Sequence, residues 1–225
     1  MNDITKTASA LIVVSMICGF LTSATDQATR KAIEANNRAK TANAVTLIFP
    51  ETKNFVEFAV DGNILKAVNS ETPKKTERVF ASYDANGKLS GIAFQAQARG
   101  FIDNVVVLYG YNPGKECITG FSVLASKETK GFGDQIDSGK TPKSVGFQKN
   151  FKCLSVRMNP EKTALLNIIK MTKSGANPDN GEFDGIAGST ITSKAMEKML
   201  IASTEKIIPM IVDNMNVLKR IENGK

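Results

Sequence analysis

Hydrophobic and polar positions divide the chain into an apolar opening, a polar helical stretch, a series of short paired runs and a long amphipathic end. From Ala8 to Ala24 the sequence ASALIVVSMICGFLTSA carries no charge. As a helix, these 17 residues cover roughly 26 Å, slightly short of a ~30 Å hydrocarbon core, and Thr5, Thr7 and Thr25 extend the span at small cost. The run reads as an uncleaved membrane anchor. A cleaved signal peptide is the alternative, since Leu11–Leu21 is the strongly apolar part and Thr22-Ser23-Ala24 is a weak small-residue cleavage site. Against cleavage, the preceding segment has one lysine, Lys6, balanced by Asp3, and Ile17 before Cys18 is too bulky for a lipoprotein signal. Next, Gln27–Ala42 is polar with Ala28, Ala32, Ile33, Ala35 and Ala39 at helical spacing, and Thr25 or Asp26 can cap it; a helix continuing the anchor is predicted.

Beyond this, three pairs of alternating runs flank tight-turn sequences. Phe55–Val60 and Ile64–Val68 flank Asp61-Gly62-Asn63, Val79–Tyr83 and Leu89–Gln97 flank Asp84-Ala85-Asn86-Gly87, and Val105–Tyr109 and Cys117–Leu124 flank Asn112-Pro113-Gly114. Each predicts a β-hairpin, and together they predict an antiparallel sheet. Ala164–Met171 is a further apolar run whose periodicity does not separate strand from short helix. Thr192–Asn223 lacks glycine and repeats Met and Ile at helical spacing, which predicts a C-terminal helix kinked or broken at Pro209. The expected fold class is α+β, divided as anchor 1–25, connecting helix and linker 26–50, and sheet domain 51–225.

Composition narrows the chemistry. The 225 residues include no histidine, so imidazole ligands and histidine-based acid–base or nucleophilic catalysis are excluded. Cys18, Cys117 and Cys153 show no CxxC spacing, so the chain cannot build a zinc or iron–sulfur site alone. Any redox chemistry must come from a group supplied from outside. The net charge of +7 lies beyond the anchor and is scattered, with no tryptophan and three tyrosines to interleave it, which argues against a nucleic-acid partner. Charge counting across the anchor, Lys6 against Arg30, Lys31, Arg38 and Lys40, does not settle orientation and on its own favours a cytoplasmic body.

The most informative stretch is DGIAGSTITSKAM, Asp184 to Met196, a small-residue turn opening directly onto the predicted C-terminal helix. Free N–H groups at a helix N-terminus and the macrodipole favour a phosphate there, and Thr190, Thr192 and Ser193 place hydroxyls beside it. A plain Ser/Thr-capped turn is the structural alternative. The run resembles the flavinylation motif of the FMN-binding domain family, Asp-x-x-[Ser/Thr/Ala]-Gly-[Ala/Ser]-Thr-x-[Thr/Ser], through Asp184, Gly188, Ser189, Thr190 and Thr192. Ala187 stands where Ser or Thr is commoner, and Ser189 where Ala is commoner. The resemblance implies that Thr190 carries FMN as a phosphoester; Thr192 and Ser193, inside the first helical turn, are expected to bond backbone groups instead.

A second stretch, Ser126 to Ile136, resembles the Glu-Thr-Pro-Gly-Leu-Gly loop of two protein families, the G subunits of Rnf complexes and the C subunits of sodium-pumping NADH:quinone reductases, with Lys130 for Pro and Phe132 for Leu. It implies flavin surroundings in which Gly131 and Gly133 allow close approach to the ring and Glu128 and Thr129 bond its edge, beside Phe132. A third stretch, Gly100–Asn104, is similar to a Gly-Tyr-Gly segment of these families and reads mainly as sheet, with flavin surroundings as the alternative. The length is nearer that of the Rnf family. The implied protein is a membrane-anchored electron relay with FMN as cofactor, with other subunits of the complex and a flavin transferase as partners, and with its domain extracytoplasmic. An anchored, non-redox anion-binding module is the rival. In an extracytoplasmic domain Cys117 and Cys153 either form a disulfide or remain two separate thiols.

Overall fold

A computed structural model describes residues 3–69, 72–73, 76–137 and 142–222. Contacts divide the chain into two units, Met1–Ala42 and Asn43–Lys225. The described residues of the first unit, 3–42, lie within helix α1 (Asp3–Ile48). Leu11, Ile12, Val13, Val14, Met16, Ile17, Phe20 and Leu21 are all exposed on it. Among the described residues this is the one helix long and apolar enough to cross a membrane, with mean hydropathy 1.9 over its best window; a helix apolar all round and uncovered by protein suits lipid. Thr25 and Asp26 do not cap a second helix. Thr25 Oγ1 donates back to the Leu21 carbonyl at 2.8 Å and Asp26 pairs with Arg30, so both serve a continuous helix.

The second unit is built on a seven-stranded antiparallel sheet. Its strands are β1 (Asn54–Asp61), β2 (Ile64–Ala67), β3 (Arg78–Tyr83), β4 (Leu89–Arg99), β5 (Asn104–Asn112), β6 (Cys117–Ala125) and β7 (Leu154–Ser155), in the order β2-β1-β3-β4-β5-β6-β7. All three predicted hairpins form, closing at the pairs Asp61–Ile64, Tyr83–Leu89 and Asn112–Cys117. Their turns are held by the expected side chains: Asp84 Oδ1 accepts the N–H groups of Asn86 and Lys88, and Asn112 Oδ1 those of Gly114 and Lys115.

Because side chains alternate along a strand, the sheet has two apolar faces. One joins Phe94, Tyr109 and Phe121 to the buried face of α3 (Thr190–Asp213), where Met196, Leu200, Ile207 and Ile211 are fully covered. The other, Phe80, Ala93 and Leu108, packs with Ala44, Val45, Ile48 and Phe49. Gly91 and Gly110 make the second packing possible: a Cβ on Gly91 would lie 2.2 Å from the Phe49 ring, and one on Gly110 2.3 Å from Ile48. The end of α1 therefore folds with the sheet unit, which begins at Asn43.

Two expectations are corrected. Ala164–Met171 is neither one strand nor a helix: β8 (Lys170–Thr172) starts near its end and pairs in parallel with β9 (Glu182–Asp184), while Leu165 makes an isolated antiparallel bridge with Met158 and Leu166 and Ile168 stay exposed. Pro209 does not break α3, because the buried Ile207, Ile208, Met210 and Ile211 hold the helix through it. The break comes at Asn214, whose Nδ2 donates to the carbonyls of Met210 and Asn63 before α4 (Met215–Glu222) starts. Asn223, the last residue of the predicted helix, lies outside the described residues. Helix α2 (Pro142–Lys149) supplies Phe147 to an aromatic cluster with Phe121, Phe151 and Phe183. The Cys117–Cys153 disulfide forms, with a Cα separation of 5.1 Å, and ties β6 to the chain after α2.

Gly110→Val is expected to evict Ile48 and Phe49 and to cost about 1–3 kcal/mol, the usual penalty for overpacking. Gly120→Ala, whose Cβ would meet nothing within 4 Å, serves as the control. Denaturant unfolding of both variants checks this; equal midpoints would contradict the packing account.

Candidate functional site

Three segments distant in sequence meet at the N-terminus of α3: the turn between β4 and β5, the loop after β6, and the turn after β9. Between them lies a cleft of about 510 Å³ lined by Phe101, Glu128, Thr129, Phe132, Gly133, Gly188, Ser189, Thr190, Ile191 and Thr192. Phe101, Phe132 and Ile191 are each more than half exposed. Three bulky apolar side chains left uncovered around one cleft suit a flat apolar ligand rather than a folding core.

The floor is organised by Glu128, which is 7% exposed. Its Oε1 accepts the Ile102 N–H at 3.0 Å, and its Oε2 accepts the Phe101 N–H at 3.2 Å and the Thr192 hydroxyl at 2.5 Å. One carboxylate thereby joins all three segments. Glycines are needed where it passes: a Cβ on Gly100 would lie 2.6 Å, and one on Gly133 2.5 Å, from the carboxylate oxygens. Burial pushes the Glu128 carboxyl up, but the Thr192 hydroxyl and the N–H groups of Ile102, Phe101 and Asp103 outweigh it and hold it below the ordinary value. On the rim, Asp103 is also held below a free carboxyl, first by its hydrogen bond from Lys127.

The turn after β9 presents the hydroxyls. Gly188, at φ +84°, takes a left-handed conformation that turns the chain into α3. Ser193 Oγ accepts the Ile186 N–H and donates to the Ser189 carbonyl, both at 3.0 Å, plugging the turn from beneath. Thr192 and Ser193 are buried and bonded, as expected, although Thr192 bonds a carboxylate rather than backbone. Thr190 is exposed, and its hydroxyl has no partner among the described residues. The N–H groups of Thr190, Ile191 and Thr192 likewise meet no acceptor there, the first return bond being Ser193 N–H to the Ser189 carbonyl at 2.9 Å.

Seven of the nine expected site residues, Thr190, Gly188, Ser189, Glu128, Thr129, Phe132 and Gly133, line the cleft. Gly131 does not; its φ of +80° makes it a turn residue with open space where a Cβ would be. Asp184 also lies off the wall, its Oδ1 accepting the Thr172 hydroxyl at 3.0 Å and the Ala176 N–H at 2.9 Å, which fixes the turn behind the motif. Glu128 and Gly133 line the cleft and also pack closely against each other. Phe101, read mainly as part of the sheet, is a wall residue, and Ile191 and Thr192 were not expected on the wall; the signal for Phe101 was an aromatic in the short turn Gly100–Asn104. Among the described residues no cluster of acids, cysteines or histidines is suited to a metal.

Glu128→Gln is expected to lose about 1–3 kcal/mol near neutral pH by leaving one of its donors unmatched. Because the native carboxyl titrates below its unfolded counterpart, its stabilisation is present above the ordinary carboxylate range and disappears as pH falls through the folded value. The gap between wild type and variant, measured by denaturant unfolding, should therefore close on acidification; a gap independent of pH would contradict the role given to the charge.

The FMN-binding domain family matches residues 100–204, a span running from the first glycine beside Glu128 to the middle of α3. The G subunit of the ion-translocating oxidoreductase complex of Aliivibrio fischeri is 27% identical over 177 residues, covering 68% of this chain and 77% of that one. The G subunit of the Na(+)-translocating ferredoxin:NAD(+) oxidoreductase complex of Acetobacterium woodii is 25% identical over 194 residues, covering 85% of each. The crystal structure of Shewanella oneidensis NqrC shares the fold, with a TM-score of 0.55 at 18% identity over 77% of this chain and 87% of that one. Cleft, motif and match coincide: residues 100–204 match the FMN-binding domain family, in a chain that resembles the G subunits of ion-translocating oxidoreductase complexes.

Proposed function

We propose that this chain is a membrane-anchored electron-relay subunit of an Rnf-type ferredoxin:NAD oxidoreductase coupled to ion translocation, and that it carries FMN as a phosphoester on Thr190. The observation that carries the reading is the exposed, unbonded Thr190 hydroxyl beside three N–H groups without acceptors. A phosphodiester at that point meets hydrogen-bond donors and the positive end of a 24-residue helix. The cleft adjoining it has the apolar, partly aromatic wall that a flavin ring requires. FMN supplies the chemistry, taking up and releasing electrons singly or in pairs. The protein's residues tether, orient and shield: Thr190 as attachment, Phe101, Phe132 and Ile191 as ring contacts, and Glu128 as the tie that keeps both walls in register. Attachment requires a flavin transferase, acting on an activated FMN donor: the Thr190 Oγ1–phosphorus bond forms as the donor's leaving group departs and the hydroxyl proton passes to a base.

The sequence relatives are G subunits, which favours an Rnf-type complex over the sodium-pumping quinone reductase, whose C subunit shares the fold. Other subunits of such a complex are the redox partners. The disulfide between Cys117 and Cys153 supports an extracytoplasmic domain, since such bonds persist in oxidising compartments, and outweighs the loop-charge count.

Expressed with a transferase, the wild-type protein should gain the mass of FMN less one water, mapped to the Asp184–Lys194 peptide. Thr190→Ala should give a folded, colourless protein, while Thr192→Ala should keep the flavin but lose stability. Flavin retained in Thr190→Ala, or found on Thr192, would refute the assignment. A folded wild-type chain that never acquires flavin would favour the non-redox anion-binding module.

A further inference from the structure

Ser189 immediately precedes the attachment residue and is 6% exposed. Its Oγ is buried and has no hydrogen-bond partner, one of two such side-chain atoms among the described residues. The other, in Ser155, is on β7, at the sheet edge and off the cleft wall. Ser189 occupies the N-cap of α3, where a serine ordinarily turns its hydroxyl onto an N–H of the first turn. Here the backbone stands at φ −131° and ψ 41°, no capping bond forms, and the N–H groups of Ile191 and Thr192 keep their donors free. A buried hydroxyl without a partner is a destabilising feature unless something outside the chain satisfies it. Ser189 lines the cleft beside Thr190, so a ligand held there is within its neighbourhood. Alanine, commoner at this position in the motif, would satisfy the packing without leaving a polar atom stranded.

We propose that Ser189 Oγ–H is a donor kept for a non-bridging oxygen of the flavin phosphate, a fourth donor added to the three N–H groups of the first turn. The inference rests on Thr190 as the attachment residue. It gives this chain a phosphate contact that an alanine at the same position cannot make. In the flavin-free protein the hydroxyl is stranded; with the phosphate in place it bonds a charged acceptor, which makes a stronger hydrogen bond than a neutral one.

The test is the unfolding of full-length wild type and Ser189→Ala, each prepared with and without flavin transferase. Without flavin, the variant should be as stable as wild type or more so, because the stranded hydroxyl is gone. With flavin, it should be the less stable of the two, so that loading raises its folding constant about tenfold less. The phosphorus NMR resonance of the loaded variant should also move from its wild-type position. Equal stability changes in the two forms, with an unmoved resonance, would overturn the role of Ser189. Peptide mass tests the underlying reading separately: flavin absent from Thr190 of the wild type would sink that reading, whatever Ser189 does.

Discussion

The carboxylate of Glu128 is the constraint on which the cleft depends. A negative charge buried to this degree persists only if its hydration is replaced, and the replacement comes from two backbone N–H groups of the β4–β5 turn and one hydroxyl of α3. The requirement works in both directions. The carboxylate needs donors from other segments, and supplying them fixes those segments around it. Gly100 and Gly133 are consequences of the same constraint, because any side chain at either position would occupy the space the carboxylate fills. The walls that carry Phe101, Phe132 and Ile191 inherit their spacing from this junction.

The same junction sorts the hydroxyls at the start of α3. Thr192 is committed to Glu128 and Ser193 to the backbone of the turn beneath, so each is removed from chemistry by a structural bond. Thr190 opens the helix, on the outward side, and neither its hydroxyl nor its N–H has a partner among the described residues. The attachment point in the proposed function is thus what remains after the turn has met its own hydrogen-bonding needs. Helix α3 carries that point on the sheet core through its long buried face, so the first turn has a rigid support despite its exposed position.

Much of the fold was legible because its signals are local. Asp61-Gly62, Asp84 through Gly87 and Asn112 through Gly114 each carry their own turn chemistry, and the runs beside them alternate; the three hairpins follow. The motif from Asp184 to Met196 was legible as a helix start for the same reason. What escaped depends on partners far away in the chain. The bond from Thr192 to Glu128 was not legible, because the two residues are 64 positions apart. Nor was the close approach of that carboxylate to Gly133. Pro209 read as a kink or break because its local cost is plain, whereas the packing that carries the helix through it is tertiary. The apolar residues at the end of α1 read as linker because the glycines receiving them, Gly91 and Gly110, lie on two different strands.

In the proposed function the unpaired donors at the start of α3 seat the flavin phosphate. Amide proton shifts of Thr190, Ile191 and Thr192, compared between flavin-free and flavin-loaded protein by NMR, test it most directly. All three are expected to move downfield on loading, as unpaired N–H groups gain an anionic acceptor, while the Ser193 amide, already bonded to the Ser189 carbonyl, stays near its original position. Flavin loaded on the protein with these three resonances unchanged would contradict it.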